Sequence, residues 1–167
     1  IPAESRPRLF VGGESLGAFG GNGAFASAEE MLAMADGGVW TGTPAFTAVR
    51  TELTARRAFG STETVPVVDQ GRQVRFAGRP EQVWADQFGH DYPSWSTPRF
   101  VYLQHDTDPI AWWSPDLAFT TPDWLLETRR PGTPMAQMSW MPVVTFWQVT
   151  ADMAMANSVP GGFGHRY

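Results

Sequence analysis

Arg8-Leu9-Phe10-Val11-Gly12-Gly13-Glu14-Ser15-Leu16-Gly17 carries an apolar, β-prone run that follows Pro7 straight into a G-x-S-x-G pattern. The run Arg8 to Val11 predicts a short buried strand that stops at Gly12-Gly13. A serine placed there sits on a sharp strand-to-helix turn, where small residues two positions to either side avoid a clash with the strained backbone. Such a turn makes Ser15 a candidate nucleophile and the amide of Leu16, the next residue, a candidate oxyanion donor. In a chain with 17 glycines the same letters also spell an ordinary turn. The reading therefore depends on finding a base and an acid downstream.

The rest of the chain predicts strands separated by helices. After a glycine-rich passage, Ser27-Ala28-Glu29-Glu30 has capping-box spacing for a short helix through Ala35, with Gly37-Gly38 as its stop. Gly38 to Thr41 reads as a second strand and Ala48 to Arg57 as a helix with Val49 and Leu53 on one face. Val65 to Phe76 alternates around Gln70-Gly71 and predicts a β-hairpin. The stretch to Pro98, with Trp84, Phe88, His90, Tyr92 and Trp95, is expected to be an ordered loop. Arg99 to Gln104 is the strongest strand. Thr121-Pro122-Asp123 caps a short helix to Glu127 with proline at its first position, and a last, long helix runs from Pro142 to about Asn157. This alternation implies a parallel α/β sheet.

Composition narrows the function classes. The 167 residues fit one domain, and 43% hydrophobic against 17% charged residues argues against wholesale disorder. Cysteine is absent, which removes disulfides and a thiol nucleophile. All 12 basic residues are arginine, the formal charge is -5 and no basic block occurs, so nucleic acid is not expected as a partner. No run approaches the ~20 apolar residues of a membrane span. No metal-ligand spacing and no Gly-Lys-Ser/Thr after the glycine-rich passage appears, Glu14 and Glu30 do not make a glycosidase pair, and no cofactor is expected. The chain lacks an initiator methionine and is expected to be a piece of a longer polypeptide.

A hydrolytic serine in this kind of sheet calls for the order Ser, acid, His. Asp108 lies just past the strongest strand, where functional groups of parallel sheets collect; Asp106 and Asp116 compete with it. Of three histidines, His165 stands last, in Gly162-Phe163-Gly164-His165-Arg166-Tyr167, as the order asks. His105 ends the strand and is expected to be packed or hydrogen-bonded, and His90 belongs to the aromatic loop. Trp112-Trp113 either lines an acyl-chain pocket or belongs to the core. Met153 and Met155 put the last helix either against lipid or on the core.

Arg6 to Gly17 with Phe19-Gly20-Gly21 resembles the nucleophile region of a family of actinobacterial membrane-associated α/β-hydrolases of unsettled substrate. Further blocks agree in order: Trp40-Thr41-Gly42, Glu52 to Arg57, Val101 to His105, Asp108-Pro109, Trp112 to Leu117, Val143 to Gln148 and Gly164 to Tyr167. The resemblance implies Ser15 as nucleophile, Asp108 as acid and His165 as base. It also implies that this chain, taken as a single partial domain over 1–167, is the later half of an α/β-hydrolase sheet. The earlier strands, the membrane helices and the second oxyanion donor would then come from upstream sequence, or another chain would complete the sheet. Membrane association, on a side the sequence does not specify, would come only through those absent segments. Two features depart from the pattern: almost nothing precedes Arg8 where the earlier strands are expected, and a helix precedes His165 where the final strand of the sheet is expected. The reading is a serine hydrolase of an ester or thioester, its substrate an ester or acyl-lipid. The alternatives are acyl transfer by the same triad and a catalytically silent interaction domain.

Overall fold

In the computed structural model, which describes residues 5–127 and 134–167, four strands form one parallel sheet in the order β1-β2-β4-β3. The strands are β1 (Phe10–Glu14), β2 (Gly37–Thr41), β3 (Val74–Ala77) and β4 (Arg99–Leu103). Six α-helices flank them: α1 (Leu16–Asn22), α2 (Ala28–Met34), α3 (Ala48–Ala55), α4 (Pro109–Trp112), α5 (Asp123–Leu126) and α6 (Val144–Met153). This is the parallel α/β architecture expected from the alternation of elements. Among the described residues no helix is long and apolar enough to cross a membrane.

The pleat of β4 sorts the sheet into two faces. Phe100 and Tyr102 point to one side with Trp40, Val74 and Phe76, all buried, and meet Met31 of α2 and Val49 and Leu53 of α3. Burying each of these large side chains contributes about 1.5–3 kcal/mol, so this layer sets the stability of the sheet. Tyr102 stacks on Phe76 at 4.8 Å, and its hydroxyl donates to Asn22 Oδ1 at 2.6 Å. A second apolar cluster lies among α4, α5 and α6, built on Trp112, Leu117, Trp124, Leu125 and Val149.

The opposite face is covered unevenly. Under β3 and β4 the aromatic loop closes over it: the Arg75 guanidinium lies 4.2 Å from the Trp95 ring centroid and 4.9 Å from that of Tyr92. Arg75 also donates to the carbonyls of Gly71, Val83 and Pro93 at 2.7, 2.8 and 2.7 Å. These contacts stand in for the hydration that the buried cation loses. Under β1 and β2 nothing comparable is present among the described residues, and Phe10 is 64% and Val39 46% exposed.

Several expected boundaries move. β1 is not a buried strand ended by Gly12-Gly13; it runs through both glycines to Glu14 as an edge strand paired on one side to β2. Backbone crowds both glycines: α1 turns back directly onto Gly13, and a Cβ at Gly12 would stand 3.0 Å from the Val39 carbonyl of β2. Val65 to Phe76 does not form a hairpin. Asp69, Gln70 and Gly71 all take positive φ and make a single 3₁₀ turn, after which Val74–Ala77 pairs in parallel with β4 and is buried along its whole length. The chain does turn at Asp69–Gly71, but the strand that follows takes β4 as its partner, where Phe76 stacks on Tyr102.

Helix ends follow local chemistry. Ser27 Oγ accepts the Glu30 amide at 3.1 Å, as the capping-box spacing predicts, while Glu30 reaches back to the Ala26 amide at 2.5 Å. Gly37-Gly38 open β2 instead of ending α2. Pro122 is the N-cap of α5, not its first residue, and the distant Glu63 carboxylate accepts the Trp124 amide there at 2.9 Å. α6 is shorter than predicted at Val144–Met153; it buries Thr145 and Val149 and leaves Trp147 63% exposed.

Candidate active site

Ser15 occupies the corner between β1 and α1 with φ 55° and ψ −118°. For a non-glycine residue this conformation costs on the order of 1–3 kcal/mol and persists only where the surroundings hold it. Two backbone bonds do so: the Ser15 amide donates to Thr41 O at 2.9 Å, and the Phe19 amide donates to Ser15 O at 2.9 Å to start α1. A Cβ at Gly13 would stand 2.5 Å from the backbone carbon of Gly17, so the first glycine of the motif is obligatory. One at Gly17 would meet nothing within 4 Å. The symmetric steric requirement expected from the motif therefore holds on the N-terminal side alone. Leu16 opens α1, where backbone amides have no intrahelical acceptor.

The acid and the imidazole meet on the other side of β2. Asp108 is fully buried at the head of α4. Its Oδ1 accepts the Ile110 amide at 2.9 Å, which fixes the carboxylate plane, and Oδ2 lies 2.7 Å from His165 Nδ1. Because the same Oδ2 also accepts the Tyr167 hydroxyl at 2.8 Å, the carboxylate acts purely as an acceptor. The proton of the pair therefore sits on Nδ1, and Nε2 carries the lone pair. That Nε2 is buried and has no hydrogen-bond partner. The hydrogen bond from His165 to Asp108 raises the imidazole pKa, with the Asp108 and Glu14 charges adding to the effect and burial opposing it. An imidazole so held can take a proton from a hydroxyl brought to Nε2.

The other candidates lie elsewhere. Asp116 is exposed in a 3₁₀ turn. His105 is buried; its Nδ1 donates to Gly164 O at 2.9 Å, and its carbonyl accepts the Trp112 indole N–H at 2.9 Å. His90 is exposed and pairs with Asp86 at 3.1 Å. No hydrogen bond joins Ser15 to His165 here. Glu14 and Gly42 tie the two halves together: Glu14 precedes Ser15 and its charge reaches His165, and Gly42, one residue after the Thr41 carbonyl that anchors Ser15, packs directly on the imidazole.

The departure expected before His165 is real and has a structural answer. The segment is the helix α6, and the sheet position beside β4 is filled by β3 from earlier in the chain. His165 is held instead by its own amide, which donates to Ala156 O at 2.8 Å, and by the Gly164 amide, which donates to Thr107 Oγ1 at 2.9 Å.

Sequence reasoning missed Tyr167, Gly42 and Arg50. Tyr167 and Gly42 lie inside quoted blocks, but no spacing rule marks a tyrosine two residues after a histidine or a glycine past a strand end. Arg50 is 2% exposed, donates from Nε to Gln104 Oε1 at 3.1 Å and lies 5.1 Å from the Trp112 ring centroid. On an amphipathic helix its letter reads as a solvent residue. Trp112 belongs to the core, while Trp113 joins a row of rings, Phe19–Phe46–Trp113–Phe146, with centroids 5.5, 6.1 and 5.7 Å apart. Phe19 and Phe46 are exposed. A separate concavity lined by Arg6, Leu32, Asp36 and Pro98 sits at the opposite, N-terminal ends of the strands, away from Ser15. Among the described residues no group of three His, Asp or Glu side chains is placed to hold a metal ion.

A family model described as an alpha/beta-hydrolase family matches residues 1–167. No curated protein and no solved structure matches the chain.

Proposed function

The chain belongs to the α/β-hydrolase family, and from that premise we propose that it is a serine hydrolase of a carboxylic ester or thioester, with Ser15 as nucleophile, His165 as base and Asp108 as orienting acid. The observation that carries the reading is the buried Asp108–His165 pair at 2.7 Å, whose outer nitrogen lacks a partner, together with a half-buried serine held at positive φ.

In the proposed reaction Ser15 Oγ moves within hydrogen-bond reach of His165 Nε2 and gives up its proton as it attacks the carbonyl carbon. The oxyanion is held in part by the Leu16 amide. The imidazolium then gives that proton to the leaving alkoxide or thiolate, forming an acyl-Ser15, and water returns through the same base to release the acid. Asp108 keeps the proton on Nδ1 throughout. The exposed rings of Phe19 and Phe46, which flank the elbow, supply an apolar surface for the acyl part.

Among the described residues no strand pairs with the outer edge of β1, and this together with the exposed Phe10 and Val39 supports a partner for this edge. We assign that place to further strands of the same polypeptide or of another chain, which would also bring the second oxyanion donor. An unpaired edge beside an apolar face otherwise invites association, so residues 1–167 expressed alone should self-associate.

Fluorophosphonate labelling of the full-length protein tests the activity. An activated serine reacts, and Ser15→Ala should remove both labelling and ester turnover while the melting temperature stays within a few degrees. Turnover retained in Ser15→Ala would sink the assignment.

A further inference from the structure

Asp108 is served by more donors than a triad needs, and one of them comes from the chain's own Tyr167. We propose that Tyr167 is a positioning residue for hydrolysis: its hydroxyl shares Asp108 Oδ2 with the imidazole and sets how tightly the acid holds the His165 proton. The inference rests on the serine-hydrolase reading above.

The hydrogen-bond directions leave no choice about the Tyr167 proton. The hydroxyl oxygen accepts the His105 amide at 3.0 Å, and its own hydrogen points to Asp108 Oδ2 at 2.8 Å. The ring is clamped by stacking on His105, with centroids 4.1 Å apart and planes at 8°, and meets His165 edge-on at 5.7 Å. Burial first, and then the Asp108 charge, push the phenol pKa far above its ordinary range, so it remains a donor throughout the working pH range.

The consequence is electrostatic. A buried carboxylate cannot draw on solvent, so each fixed donor withdraws charge that would otherwise strengthen its bond to the imidazole. Asp108 has three such donors: the Ile110 amide on Oδ1, and Tyr167 and His165 on Oδ2. Removing the phenolic hydrogen leaves Oδ2 to His165 alone, and the imidazolium becomes more stable. The other groups acting on the pair are Glu14 from β1, whose charge raises His165, and Arg50 from α3, whose charge acts on Tyr167 and is itself coupled to Asp108. Neither touches Oδ2, and neither changes in a Tyr167→Phe variant. His105 contributes to Tyr167 through its amide and its stacked ring.

The test is the pH profile of kcat/KM for p-nitrophenyl acetate in the full-length protein, alongside NMR titration of the His165 imidazole, in wild type, Tyr167→Phe and Ser15→Ala. Tyr167→Phe keeps the stacked ring and removes only the hydroxyl. It should move the acid limb and the His165 titration to higher pH, with about a threefold or greater loss on that limb and a smaller change on the plateau. Site-specific 3-fluorotyrosine at 167, a stronger donor of nearly the same shape, should move both the other way, and it decides the matter if the phenylalanine variant does not fold. An unmoved limb and titration, or a uniform loss at every pH with an unmoved titration, overturns the proposal. Turnover surviving in Ser15→Ala overturns the hydrolase reading instead, and the His165 titration still reports on Tyr167.

Discussion

Gly42 packs against His165 through the face where it has no side chain: a Cβ there would stand 2.4 Å from the imidazole Cε1 and 2.8 Å from Nδ1. Gly42 also holds φ 55°. Gly42→Ala should therefore cost about 1–2 kcal/mol in backbone strain and push the ring off Asp108. A displacement of about 1 Å lowers catalysis on the order of 100-fold. Urea denaturation and ester turnover measured on the same preparation check both effects, and a variant of wild-type activity would show that the imidazole does not work from this position.

Asp108→Asn should lower kcat/KM by roughly 10²- to 10⁴-fold, because an amide at Oδ2 no longer enforces the Nδ1–H tautomer. Asp116→Asn, on the exposed 3₁₀ turn, should change it less than about twofold, since surface substitutions away from the site have small effects. Reversed effects in steady-state kinetics would reassign the acid.

The hydrogen bond to Asp108, then the charges of Asp108 and Glu14, raise the His165 pKa against burial. Neutral imidazole is the base, so the acid limb of kcat/KM should have its midpoint above the ~6.5 of a free histidine. The stability consequence has the opposite slope. The folded state binds this proton more tightly than the unfolded state, so the pair's contribution is full below about pH 6.5 and is lost as pH rises through the raised value. The denaturation midpoint of wild type minus that of Asp108→Asn should accordingly be largest below about pH 6.5 and shrink as pH rises above it through the raised value.

Tyr102→Phe keeps the stack on Phe76 but leaves Asn22 Oδ1, buried between α1 and the sheet, without its 2.6 Å donor. The expected loss is about 1–3 kcal/mol, the desolvation cost of an unpaired buried acceptor. Chemical denaturation measures it, and Asn22→Leu in the Phe background should recover part of the loss. A loss in Tyr102→Phe below about 0.5 kcal/mol would mean that the bond contributes little.

Local chemistry is legible in the letters wherever neighbours in sequence decide it. The strand into Ser15, the Ser27 cap and the strand Arg99 to Leu103 follow from patterns within about ten residues, whereas Ser15, Asp108 and His165 are singled out by their order along the whole chain and by blocks that resemble a hydrolase family. What tertiary structure alone decided are the contacts between segments far apart. Val74–Ala77 pairs in parallel with β4 and not in a hairpin, which buries Val74 and Phe76 beside Phe100 and Tyr102. Arg50 is buried because Gln104 and Trp112, from segments far along the chain, close over it, and Arg75 because the following loop folds back with Tyr92 and Trp95 across it. Asp108 stands apart from Asp106 and Asp116 because only its carboxylate is buried where Ile110, His165 and Tyr167 converge. Hydrogen bonds and ring contacts spanning about 60 residues leave no period in a sequence, since they depend on where the sheet brings its strand ends together.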